Sequence, residues 1–194
     1  MSSPFSLLLT PLALLFLSSS RPKPSPESIR EAPEFLRWST ERFMATARTY
    51  SDEELHRTLP IGLGSVFETL LHLLGAEMIW IGVVTGTVDR VVWPTRESHS
   101  DLAAIERQWK ATRAEWDRYL AALTPPECDR IVERVRDGKV FKQRCSDACM
   151  QVPTHALYHA AQLSFIHRSL RGEGPNPFSD SSWIVWARQR AGTP

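Results

Sequence analysis

The chain has 194 residues, of which 42% are hydrophobic and 23% charged, and its formal net charge is +1. That is enough chain for one domain with a real core. The near-neutral balance, with Lys and Arg spread along the sequence, gives no electrostatic footprint for nucleic acid or an acidic membrane surface.

Residues 5–17 form an apolar run that ends in Ser18, Ser19 and Ser20. It is shorter than the roughly 20 residues of a membrane span, so no stable insertion is expected. It resembles a signal-peptide core, although no Lys or Arg precedes it and the cleavage-site pattern is poor. Three readings stay open: an export signal, another targeting segment, or upstream sequence from a misassigned start codon. In each case residues 1–25, closed by the Pro/Ser-rich linker RPKPS, stand apart from a folded domain over residues 26–194.

The first helix is expected to end near Tyr50. It starts either at Pro26, capped by Ser25, or at Pro33. Ser51 followed by Asp52, Glu53 and Glu54 predicts a short helical turn, and Pro60 to Gly64 a connection. The second helix begins near Ser65, with Glu68 three residues on in a capping-box pattern. It runs to about Val84, with Gly86 as its stop. After an irregular link from Val88 to Pro94, Ser100 caps a third helix from about Asp101 to Leu123, which Pro125 and Pro126 end. Asp137-Gly138 between two strand-like runs predicts a β-hairpin. The fourth helix is expected from about Ser146 to Leu170, with Pro153 either kinking it or marking a later start. A short last helix covers Ser182 to Arg190. The sum is an all-α fold, a four-helix bundle with a small β-hairpin before its last bundle helix.

Three cysteines, Cys128, Cys145 and Cys149, are too few and odd in number for a disulfide framework. Cys145 and Cys149 share a helical face, but without a second pair they read as structural thiols. Of six histidines, His155 and His159 carry the most information. Four residues apart on a helix, they stack on one face about 6 Å apart along the axis, a common half of a transition-metal site. His72 lies mid-helix among leucines. Alone it reads as a core histidine with a hydrogen-bonded ring. Brought by the bundle to the pair, it would complete a set of three nitrogens with coordination positions left open. Gln162, three residues beyond His159, either orients a histidine or water there or satisfies a backbone group. Glu68 is explained by its cap and Glu77 by a structural ion pair. His56 and His99 are expected in exposed connections, and His167 as a surface or satellite residue.

With these residues in view, the chain resembles the DinB/YfiT-like family over most of its folded part. FLRWSTERF is similar to the family's aromatic first helix, GSVFETLLHLLGAEMIW to its helix-two histidine segment, and THALYHAAQ to its H-x-x-x-H-x-x-Q segment. The hairpin and the tail PNPFSDSSWIVWAR also fall where the family has counterparts. The resemblance implies metal ligands at His72, His155 and His159 and one divalent ion, zinc or nickel foremost. It further implies a bundle with an unusual crossover connection, often a homodimer, and a cytoplasmic location unless residues 1–20 direct export. Two positions depart from the pattern. His159-Ala160-Ala161-Gln162 replaces a common His-Arg-Gly-Gln, and Gln151 stands where many members have a further histidine. The implied activity is a metal-dependent thiol S-transferase or related enzyme, acting on a small-molecule thiol and an electrophile. A metal-dependent hydrolase, or a non-catalytic metal-stabilised bundle serving stress response or protein interaction, are the alternatives.

Overall fold

A computed structural model describes residues 25–192. The apolar run at residues 5–17 and the linker up to Pro24 lie outside the described residues.

Ser25 begins the first helix, α1 (Pro26–Ala47), by accepting the Ser28 amide, with Pro26 in the first turn where its missing N–H costs nothing. The earlier of the two expected starts is therefore the real one, and Pro33 is carried inside the helix. A short helix, α2 (Asp52–His56), follows in a full capping box between Ser51 and Glu54. Helix α3 (Val66–Thr85) starts with Ser65 Oγ accepting the Glu68 amide and ends at Gly86, whose φ of 73° is the left-handed conformation that glycine adopts without a Cβ clash. The Glu68 carboxylate does not complete a capping box there. It pairs instead with Arg96.

A 3-10 turn (Val88–Arg90) and an extended link lead to α4 (Leu102–Ala121). Its cap is Asp101, not Ser100: Oδ1 accepts the Ala104 amide at 2.7 Å. The two prolines after α4 do more than end it. Pro125 opens another short helix, α5 (Pro125–Asp129), which the sequence reading passed over. The hairpin follows as β1 (Ile131–Arg136) and β2 (Lys139–Arg144), with Arg136 opposite Lys139. Asp137 (φ 52°) and Gly138 (φ 72°) form the tight turn between them. The last bundle helix, α6 (Cys145–Arg171), starts directly from β2. Pro153 neither ends it nor delays it. Cys149, Val152, Pro153 and Ala156 are all buried, so packing on both sides holds this stretch where one backbone bond is missing. Helix α7 (Trp183–Arg190) closes the chain by laying Trp183 and Trp186 against Phe35, with ring centroids 5.1 and 5.8 Å apart.

The architecture is the expected four-helix bundle of α1, α3, α4 and α6. α3 packs on α6 and α4, and α6 on α1 and α3. Phe43, Phe67, Leu70, Leu74, Ile105, Trp109, Leu163 and Ile166 fill its centre. Among the described residues one helix, α3, is long and apolar enough to cross a membrane, and 72% of its most apolar stretch is buried inside the bundle. Its apolar character is thus the signature of a core helix. That central helix carries His72 and Glu77.

Candidate metal centre

α3 and α6 bring together what the sequence separates by more than eighty residues. His72 Nε2 lies 3.2 Å from His155 Nε2, which in turn lies 3.0 Å from His159 Nε2. One ligand nitrogen from each ring falls within 4.8 Å of the others. His159 is buried and the other two are half-buried. Among the described residues no cysteine, carboxylate or fourth histidine joins this group.

Hydrogen bonding alone leaves this cluster unsatisfied. Gln162 Oε1 accepts from His159 Nδ1 at 2.7 Å, which fixes the proton on Nδ1 and turns the Nε2 lone pair into the cluster. His155 Nε2 faces that lone pair on one side and His72 Nε2 on the other. Its own Nδ1 is buried without a partner, so neither tautomer satisfies the ring. A cation taking all three Nε2 lone pairs accounts for their convergence, with the His155 proton then on its unpartnered Nδ1, and a set of three neutral nitrogens suits zinc, nickel or a similar ion.

The electrostatics agree. Burial pushes His155 down to about 4, helped by the neighbouring imidazoles of His159 and His72 and by Arg134. Burial also lowers His72, with His159 adding to the effect. It lowers His159 as well, partly offset by the Gln162 hydrogen bond. The rings therefore stay in the neutral, ligating form at neutral pH.

Several supporting residues escaped the sequence reading. Gly62 adopts φ 53°, and a Cβ there would sit 2.4 Å from Gln162 Oε1. The connection after α2 thus lies directly on the glutamine that orients His159. Trp93, in the irregular link, packs its ring against His72 with centroids 5.5 Å apart. Gly75 makes room for it, since a Cβ at that position would fall 2.8 Å from the indole. The glycine of ETLLHLLGAE was the one available signal, a helix-interior residue of poor propensity that calls for a packing reason. Trp93 also divides two clefts that share His72 as a wall. One of about 170 Å³ is lined by His72, Trp80, Trp93, Arg134, Arg136 and His155. The other, of about 330 Å³, lies between His72, Glu68 and residues 93–97.

The remaining candidates lie elsewhere. Among the described residues Glu77 makes no ion pair within 4 Å; the nearest basic influences on it are Arg113 and Arg37. It is a buried acid whose Oε1 accepts from Trp109 Nε1 at 2.5 Å, and burial pushes it up to about 7 against the pull of Arg113. His167 joins the polar edge of the core through a hydrogen bond with the Tyr50 hydroxyl, and its ring faces Phe178. His56 is half-buried against Phe67 rather than exposed. Cys128, Cys145 and Cys149 are free and buried, as structural thiols should be, and Cys145 Sγ lies 2.7 Å from the Tyr119 hydroxyl.

A helical bundle with three imidazoles converging between its second and fourth long helices belongs to a class of folds compatible with metal binding. The family model of the DinB superfamily matches residues 36–163, from α1 through the histidine pair. The chain belongs to the DinB superfamily. No curated protein matches it.

Proposed function

We propose that the chain is a divalent-metal-dependent thiol S-transferase in which His72, His155 and His159 hold the ion, zinc or nickel. The observation that carries this reading is the convergence of three Nε2 atoms, with no fourth protein ligand among the described residues, at the wall of an open cleft. A purely structural site would be closed by a fourth side chain. A divalent ion held by these neutral imidazoles would keep its full charge and would favour a bound thiol in its thiolate form. The protein's own groups do the rest. Gln162 fixes the orientation and tautomer of His159. Burial keeps the three rings unprotonated. Trp80 and Trp93 supply apolar walls that position an electrophile. In the conjugation the thiol sulfur would form the new S–C bond, its proton passing to solvent, as the electrophile's leaving group departs with its electron pair.

Purified protein is expected to hold about one divalent ion per chain, and His155→Ala to lose it. Unchanged metal content in that variant defeats the ligand assignment. With the metal-loaded protein and chlorodinitrobenzene, a panel of cellular thiols is expected to include one that is conjugated in a metal-dependent way. Absence of conjugation with every thiol returns the centre to a structural role.

A further inference from the structure

The cleft between the hairpin and α3 has an unusual electrostatic makeup. Its walls are two aromatic rings and two imidazoles, and its charged members, Arg134 and Arg136, are both cationic. They stand two residues apart on β1, so both project from the same face of the hairpin. Lys139, directly opposite Arg136, adds a third positive charge. Arg134 is half-buried, with its guanidinium 5.1 Å from the centre of the Trp80 ring, and it makes no ion pair among the described residues. Among the described residues Arg136 is paired only with its neighbour Asp137 at 3.5 Å, where both side chains are largely exposed, a contact of little strength. Burial and Arg136 together lower the pKa of Arg134. A partly desolvated guanidinium without an acid beside it has a strong unfilled demand for a planar anion.

We propose that this cleft is the binding site for a small organic carboxylate, whose anionic end is held by Arg134 and Arg136 and whose flat apolar body lies between Trp80 and Trp93. The proposal rests on the reading of the three-histidine site above in one respect only: it names the class of molecule brought to His72 and His155. The hairpin thereby supplies the cationic groups of the cleft. A carboxylate in the cleft would meet the guanidinium forks at one end and place its far end along the imidazoles, without any charged group buried alone.

The test uses metal-free protein, because a carboxylate is itself a metal ligand and would otherwise bind the centre directly. Isothermal titration with phenylacetate is expected to show binding that weakens as salt rises. The uncharged 2-phenylethanol should bind at least about tenfold more weakly, and Arg134→Gln should cost phenylacetate a similar factor. Arg134→Lys, which keeps charge but not the fork, should recover part of it, and Arg136→Gln should show a smaller loss. Inorganic phosphate should compete poorly, since it has no apolar body. Equal affinity for the acid and the alcohol, or phenylacetate binding unchanged in both Arg134→Gln and Arg136→Gln, overturns the proposal, and so does an absence of binding. Phosphate competing as well as phenylacetate overturns the aromatic part. Metal content and thiol conjugation are measured separately on the loaded protein. Failure of the metal reading therefore shows there, while the anion result stands or falls by itself.

Discussion

Glu77 offers the most direct test of the electrostatics inside the bundle. Its side chain is fully enclosed, with Oε1 accepting from Trp109 and Oε2 without a hydrogen-bond partner. Arg37, Arg113, Trp116 and Cys149 line the same small cavity. Burial raises the carboxyl from 4.5 to about 7, with Arg113, the Trp109 hydrogen bond and Arg37 pulling the other way. At about 1.4 kcal/mol per pH unit, that difference corresponds to a stability change on the order of 3 kcal/mol. Below 4.5 the group is protonated in both folded and unfolded chains, and the fold is at its best with respect to this residue. As pH rises the unfolded carboxyl ionises first, and stability falls until the folded one has ionised too, above about 7. The three histidines slope the other way: their folded pKa values are lowered, so stability falls as pH drops below the ordinary imidazole range. Glu77→Gln separates the two effects. Its carboxamide oxygen still accepts from Trp109, and its NH2 replaces the acid O–H, so it imitates the protonated group at every pH. Urea unfolding of metal-free protein between pH 5 and pH 9 should show the wild type losing roughly 2–4 kcal/mol relative to the variant as pH rises. Parallel profiles would mean that Glu77 is ionised in the fold throughout, held by Arg113 as a true buried ion pair.

Three further outcomes are expected. Gln162→Ala removes the acceptor that fixes the His159 tautomer and should weaken metal binding by about 10- to 100-fold in a chelator competition, with the fold retained; unchanged affinity would make Gln162 a bystander. Gly75→Ala should stabilise the protein by up to about 1 kcal/mol in a Trp93→Ala background through helix propensity, and lose that gain when Trp93 is present; thermal melts of the four proteins complete the cycle, and additivity would deny the contact between residue 75 and the ring. Asp101→Ala should cost about 0.5–2 kcal/mol by removing the cap of α4, while Ser100→Ala should cost little; urea midpoints decide between the two caps.

The helices and the hairpin were legible because their signals are local. Ser51, Ser65 and Gly86 punctuate the chain through backbone chemistry that acts within four residues, and Asp137-Gly138 dictates a turn by its own dihedral preferences. The histidine pair was legible for the same reason, since spacing on one helix fixes which side chains share a face. The partner of that pair was not. Nothing local in ETLLHLLGAE distinguishes a ligand from a core histidine with a hydrogen-bonded ring, and the resemblance to a family supplied what periodicity did not. Errors fell where two signals competed or where partners came from afar. Ser100 and Asp101 are both good caps, and only the path of the link decides which one turns inward. Pro153 is overridden because its helix is buried on both sides of it. Glu77 reads as an ion pair by charge alone, whereas the residue that reaches it is Trp109, a helix away.

The same logic explains why the hairpin matters more than its size. In the sequence, RIVERVRDGKVFKQR reads as a turn between two strand-like runs. In the structure Val132 is buried, and Arg134 and Arg136 on the same face extend past the core's edge to the cleft beside His72 and His155. A two-residue turn holds this strand pair in register. Inserting one residue into each strand, between Val132 and Arg134 and between Phe141 and Gln143, would keep that pairing but turn both guanidiniums to the opposite face relative to the bundle without touching a histidine. Such an insertion should abolish phenylacetate binding while leaving metal content intact. If both survive it, the arginines reach the cleft by flexibility rather than by register, and the hairpin is a passive decoration of the bundle.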